Sequence, residues 1–99
     1  MLTSKQRAYL RSLSSKEATI IMIGKNGISE DLIKSAEDAL SARELVKGKV
    51  LESYDRPIIE VANELAELTQ SELVQTIGRK FVLYRRKEKD SKIDITKIN

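Results

Sequence analysis

Residues 18–31 read ATIIMIGKNGISED, and no other stretch restricts the fold as much. The run ATIIMI is too short for a buried helix and long enough for a strand. It is apolar throughout, so it reads as a strand covered on both faces. Two glycines then bracket Lys25 and Asn26, and a helix start follows at once. Ser29 is the cap, and Glu30 and Asp31 occupy the first turn, where the helix dipole favours acids. Ile28 and Ile33 take the two positions of a hydrophobic staple. A strand that feeds a capped helix is the opening of an α/β layered fold.

The flanking segments extend this pattern. TSKQRAYLRSL has Thr3 or Ser4 as a cap and Gln6 at capping-box spacing, with Leu2, Tyr9, Leu10 and Leu13 on one side of the wheel. The spacing predicts a helix over 4–14. The helix after Ser29 buries Leu32, Ile33, Ala36, Ala39 and Leu40 and should end near Ala42 or Arg43. ELVKGKVLES, residues 44–53, alternates as a second strand, with Leu45, Lys47, Lys49 and Leu51 on one face. Asp55 and Pro57 open a third helix, whose stripe runs from Ile58 through Val61, Ala62, Leu65 and Ala66 to about Thr69. SELVQTI and FVLYRR make two further strands, joined by a tight turn at Gly78, Arg79 and Lys80. The order is α-β-α-β-α-β-β. It predicts one α/β domain with a mixed four-stranded sheet and helices packed on it, over residues 1–87. Residues 88–99 read as a charged, flexible tail, although KIDITKIN could add an edge strand.

Composition removes whole classes of chemistry. The 99 residues include no cysteine and no histidine. Disulfides and thiolate nucleophiles are therefore excluded, and the commonest general base and metal ligand is missing. No apolar run approaches a membrane span, and the N-terminus has no signal-like apolar core, so a cytoplasmic protein is expected by default. The net charge is +3, unevenly spread. Residues 1–27, 43–51 and 71–99 carry +4, +2 and +4, whereas 28–42 and 52–70 carry −3 and −4. Such segregation suits a polyanionic partner, and equally suits helices that merely carry solvating acids.

The candidate chemistry is that of a binder. In GKNG, glycines admit close backbone approach and the next helix offers unpaired amides, so Gly24, Lys25, Asn26 and Gly27 could hold a phosphate. Ordinary strand-to-helix turn chemistry explains the same residues, and Ser29, Glu30 and Asp31 compete for those amides. A second basic element, IGRKFVLYRRK, supplies Arg79 and Lys80 at a hairpin tip and Arg85 and Arg86 at the strand end. Tyr84 stands among them, where it could stack on a base or be a half-buried strand residue. Lys47 and Lys49 could extend the patch or line a solvated edge. No nucleophile is placed beside a base, and GKNG lacks the Lys-Ser/Thr ending of a nucleotide-binding phosphate loop. The pair Glu60/Glu64 reads as a solvated helix face. The chain is therefore expected not to be an enzyme.

Four motifs in one order, MLTSKQRAYLRSL, IMIGKNGI, ARELVKGKVL and LVQTIGRKFVLYRR, resemble the bacterial stand-alone CRM domain, the YhbY-type RNA-binding proteins. The likeness covers roughly residues 1–87. It implies an architecture related to the C-terminal domain of translation initiation factor three. It also implies RNA binding through the GxxG loop, and a tie to precursors of the large ribosomal subunit. By position it assigns RNA contacts to Gly24, Lys25, Asn26 and Gly27, to Lys5, Arg7 and Arg11 on the first helix, and to the segment with Gly78, Arg79 and Lys80. The position of Gly48 usually holds a larger residue in the family, so a weak or bulged strand is expected there.

Two other classes compete with the RNA reading. One is a protein-interaction module acting through the acidic helices at 29–42 and 57–69. The other is a small metal-dependent hydrolase using carboxylates such as Glu60 and Glu64. The RNA reading expects ribosomal RNA as partner, no cofactor or metal, no small-molecule substrate, no membrane and a monomer.

Overall fold

Thr3 caps the first helix with a complete capping box: its hydroxyl accepts from the Gln6 amide, and the Gln6 side chain accepts from the Thr3 amide. The computed structural model describes residues 2–87 and 93. In order, these form α1 (Ser4–Ser14), β1 (Thr19–Ile23), α2 (Glu30–Arg43), β2 (Leu45–Val50), α3 (Ile58–Leu68), β3 (Glu72–Ile77) and β4 (Lys80–Tyr84). The expected α-β-α-β-α-β-β order and single α/β domain hold. The charged extension expected after residue 87 and its optional edge strand lie outside the described residues. Ile93 alone is described there, and it packs against the buried cluster that contains Leu10.

The sheet is mixed, in the order β1-β2-β4-β3. β1 and β2 run parallel, because α2 returns the chain to the starting end. β4 is antiparallel to both β2 and β3. Each edge strand carries one irregularity, between Thr19 and Ile21 in β1 and between Leu73 and Gln75 in β3. Bulged edges resist pairing with other chains.

The two sheet faces have different cores. On one, α2 and α3 bury Ala36, Leu40, Val61, Ala62 and Leu65 against Ile21, Ile23, Val46, Val50, Phe81 and Leu83. On the other, α1 contributes Leu10 to a smaller cluster with Leu45, Val74, Val82 and Tyr84. α1 covers only part of its face. Ile20 and Met22 of β1, on that side, are 39% and 55% exposed, and Ile77 of β3 is 65% exposed. The expectation that ATIIMI is covered on both faces is thus corrected: eleven residues of α1 are too short a lid for four strands.

Gly48 is explained by its neighbour. A Cβ there would lie 2.2 Å from Phe81 Cζ. β2 itself runs without a bulge; the irregularity falls on β1, opposite Lys47 and Gly48. α3 closes with a left-handed residue, Gln70, at φ 53°. The Gln70 amide donates to the Glu67 carbonyl and the Ser71 amide to the Ala66 carbonyl, a Schellman ending.

Candidate nucleic-acid interface

The GKNG loop sits where β1 leaves the sheet. It is a tight turn, closed by the Gly27 amide donating to the Gly24 carbonyl at 2.8 Å. Lys25 and Asn26 form its exposed tip. Gly27 is buried at φ +64°, with the Tyr54 ring 2.8–2.9 Å from where its Cβ would be. Glycine is thus required there twice, by conformation and by packing. Gly24 is under no such constraint, since the nearest atom to its Cβ position is a Leu51 methyl at 3.4 Å. The amides that could greet an anion are partly engaged. The Ser29 amide donates to the Gly27 carbonyl, and the Leu32 amide to the Ser29 hydroxyl. The loop thus offers a cation and a polar tip, with part of its backbone donors already in use.

Tyr54 links the loop to the rest of the molecule. Arg56 stacks 5.7 Å from its ring centroid and donates to its hydroxyl at 2.9 Å. Arg56 also pairs with Glu60 and Glu64. The Tyr54 hydrogen bond, with those of the two carboxylates, raises the Arg56 pKa above the ordinary arginine value.

Arg7, Arg79 and Arg85 turn out to be internal staples. Arg7 donates to the carbonyls of Leu73 and Val74, where the register of edge strand β3 slips. Arg79 donates to the carbonyls of Val50, Leu51 and Tyr54 at 2.7, 2.8 and 3.3 Å, and so fixes the segment beneath the GKNG loop. Arg85 bridges the Glu37 carboxylate at 2.6 Å, the Thr69 carbonyl and the Ser41 hydroxyl. The planar fork of a guanidinium suits such multiple acceptors. The expectation that these three groups are free for a ligand is corrected on that ground.

Tyr84 is corrected as well. It is 3% exposed and packed under α1 with Leu10, so its ring cannot stack on a base. Arg86 is exposed, but it lies past the far end of β4. Six residues along the chain, at about 3.3 Å each where extended, put it up to ~20 Å from Lys80. The stretch IGRKFVLYRRK therefore splits between opposite ends of the sheet.

What remains is a set of cations whose side chains bond to nothing among the described residues: Lys5, Arg11, Lys25, Lys47, Lys49, Lys80 and Arg86. The strand registers gather several of them. Met22 pairs with Lys49, Lys49 with Lys80, and Lys80 with Ile77, a single row across all four strands. Lys47 stands in the next row, opposite Val82 and Gln75. Arg11 lines the same hollow as Lys47 and Lys80. Met22 also lines the groove of Lys25 and Asn26, which joins the loop to the row. Lys5 sits exposed on α1, outside these hollows.

Sequence reasoning missed Met22, Ile77 and Gln75. In a six-residue apolar run, a half-open strand and a fully buried one look alike, and only the short α1 betrays the difference. The acidic helices lie on the other face of the sheet. Glu37, Glu60 and Glu64 are all held by arginines, and no group of three metal-binding side chains occurs among the described residues. Among those residues, no helix is long and apolar enough to cross a membrane.

Comparison with known proteins agrees with this architecture. A solved solution structure, that of SAV1595 from Staphylococcus aureus, superimposes with a TM-score of 0.80 at 46% identity, covering 95% of this chain and 98% of that one. The Bacillus subtilis protein named "Probable RNA-binding protein YqeI" is 39% identical over 95 residues, covering 96% of this chain and 99% of the relative. An "RNA-binding protein" of Haemophilus influenzae is 34% identical, covering 95% and 94%. The model of the CRS1 / YhbY (CRM) domain matches residues 2–85, and the chain belongs to that family.

Proposed function

We propose that this protein binds RNA through the open half of the α1 face, with the GKNG loop at its edge. The observation that carries the reading is the register pair Lys49–Lys80, two cations directly opposite each other with no carboxylate partner among the described residues. Like charges so placed repel, and an anion between them removes the cost. Lys47, Arg11 and Lys25 extend the positive strip on the same side. Phosphate contacts of this kind give affinity and position with little sequence information. The family relatives named as RNA-binding proteins support the same reading.

The RNA in question is ribosomal, within precursors of the large subunit, and the protein acts there as a monomeric, non-catalytic assembly factor in the cytoplasm. Three carboxylates of the acidic helices, Glu37, Glu60 and Glu64, serve the fold through Arg85 and Arg56. Titration of ribosomal RNA fragments with the wild type and a Lys25→Ala/Lys49→Ala/Lys80→Ala variant tests the site. Affinity should fall steeply in the variant and with added salt, while the circular dichroism spectrum stays the same. Equal affinity of variant and wild type would remove the proposed face. Retention on ribosomal particles after nuclease digestion, without affinity for isolated RNA, would instead favour a protein partner.

A further inference from the structure

Beside the cation strip lies a hollow that phosphate binding alone does not require. It has a volume of about 330 Å³ and sits between the C-terminal end of α1 and strands β2, β3 and β4. Its apolar floor is supplied mainly by Ile77, over the nearly buried Val82, and its rim carries Arg11, Lys47 and Lys80. Among the described residues no carboxylate lines it. Gln75 faces into it, and its side-chain amide has no hydrogen-bond partner among the described residues. Ser14 and Ser15 complete the lining.

We propose that this hollow receives one unpaired nucleotide of the bound RNA, with the base against the exposed Ile77 and its edge read by Gln75. The inference rests on the RNA reading above and adds the class of RNA. An apolar floor gains nothing from a duplex, whose bases are stacked and paired and whose exterior is phosphate and ribose. An extruded base offers a flat apolar face and an edge of donors and acceptors. An amide is the side chain that can match such an edge, since it both donates and accepts. The three cations at the rim are placed for the flanking phosphates. The volume is at the small end of ligand sites, roughly 300–1,000 Å³, which suits one nucleotide and not a longer segment. Beyond Lys80 and Ile77 the surface continues into a shallower groove with Lys49, Leu51 and Glu52, so a chain has a path onward.

Two RNA hairpins with the same stem, each closed by a non-nucleotide linker in place of a loop, one fully paired and one with a single bulged nucleotide, test this by fluorescence anisotropy. Wild-type protein should prefer the bulged hairpin by about tenfold, the discrimination that one base-edge contact supplies. Gln75→Ala should bring the ratio of the two affinities close to one. Gln75→Glu, which keeps the shape and adds a negative charge beside the flanking phosphates, should do the same. The Gln75 side-chain amide resonances should shift with the bulged hairpin and stay in place with the paired one. Equal binding of both hairpins by the wild type overturns the nucleotide pocket and leaves the cation strip standing. Binding of neither hairpin above the level of the triple lysine variant overturns the RNA reading and the pocket with it. Binding of a free nucleoside monophosphate as tightly as the bulged hairpin would make the hollow a small-molecule site and also overturn the proposal.

Discussion

Phe81 stands directly across from Gly48 on neighbouring strands, and its ring fills the space a side chain at 48 would need. The glycine is a packing requirement of the central strand pair, not a weak point in it. Gly48→Ala forces the ring to move within a filled core, and overpacking of this kind costs about 1–3 kcal/mol. Thermal unfolding should show the loss. Adding Phe81→Leu should recover part of it, because the two residues share one space.

The two glycines of GKNG should respond differently. Gly27→Ala meets the Tyr54 ring and a left-handed backbone, so stability should fall by about 1–3 kcal/mol. Gly24→Ala has ordinary contacts, and its melting temperature should stay near that of the wild type. RNA affinity can therefore be tested at position 24 without confusion from unfolding.

Arginines and lysines should separate in the same way. Arg79→Ala strips the Val50 carbonyl of its side-chain donor and leaves those of Leu51 and Tyr54 with only the Tyr54 and Arg56 amides, and it should lower stability by about 1–3 kcal/mol. Arg79→Lys should recover little, since an ammonium lacks the fork. Lys25→Ala should leave unfolding unchanged, and Lys49→Ala should raise stability slightly, by the repulsion with Lys80 that it removes. Each should flatten the slope of log affinity against log salt by roughly 0.7–0.9, the loss of one phosphate contact.

At the end of α3, Gln70 occupies the left-handed position of a Schellman ending, where glycine is the usual residue. Its strain of about 1–2 kcal/mol exceeds the unfolded-state entropy that glycine adds, about 0.4–1 kcal/mol. Gln70→Gly should therefore raise the midpoint of chemical denaturation, by a net gain of about 0.5–1 kcal/mol from these terms. The site is exposed and far from the cation strip, so RNA affinity should not change.

Local signals carried the fold well because they act locally. The Thr3–Gln6 box, the Ser29 cap and the Gly78 turn are contacts between residues close in sequence, and each stands where its spacing says. Long-range partners are different. Nothing in the neighbourhood of Arg7, Arg79 or Arg85 announces carbonyls that lie 66, 29 and 16 residues away. In sequence they look the same as Lys47 or Lys49. Tyr84 was ambiguous for a related reason: whether a strand tyrosine is buried depends on which rows α1 covers. A useful distinction does emerge from chemistry. The guanidinium groups at 7, 79 and 85 were recruited to gather main-chain acceptors, and the ammonium groups were left to the solvent.

The row Met22–Lys49–Lys80–Ile77 also bears on how the molecule behaves alone. Two ammonium groups held abreast push on the strands that carry them, so the unliganded sheet is folded against a small internal pressure. Dissolved ions relieve that pressure by screening, and a polyanion relieves it more fully by neutralising it. Raising ionic strength should thus firm the free protein even as it loosens the grip on its partner, two responses of opposite sign from one pair of side chains.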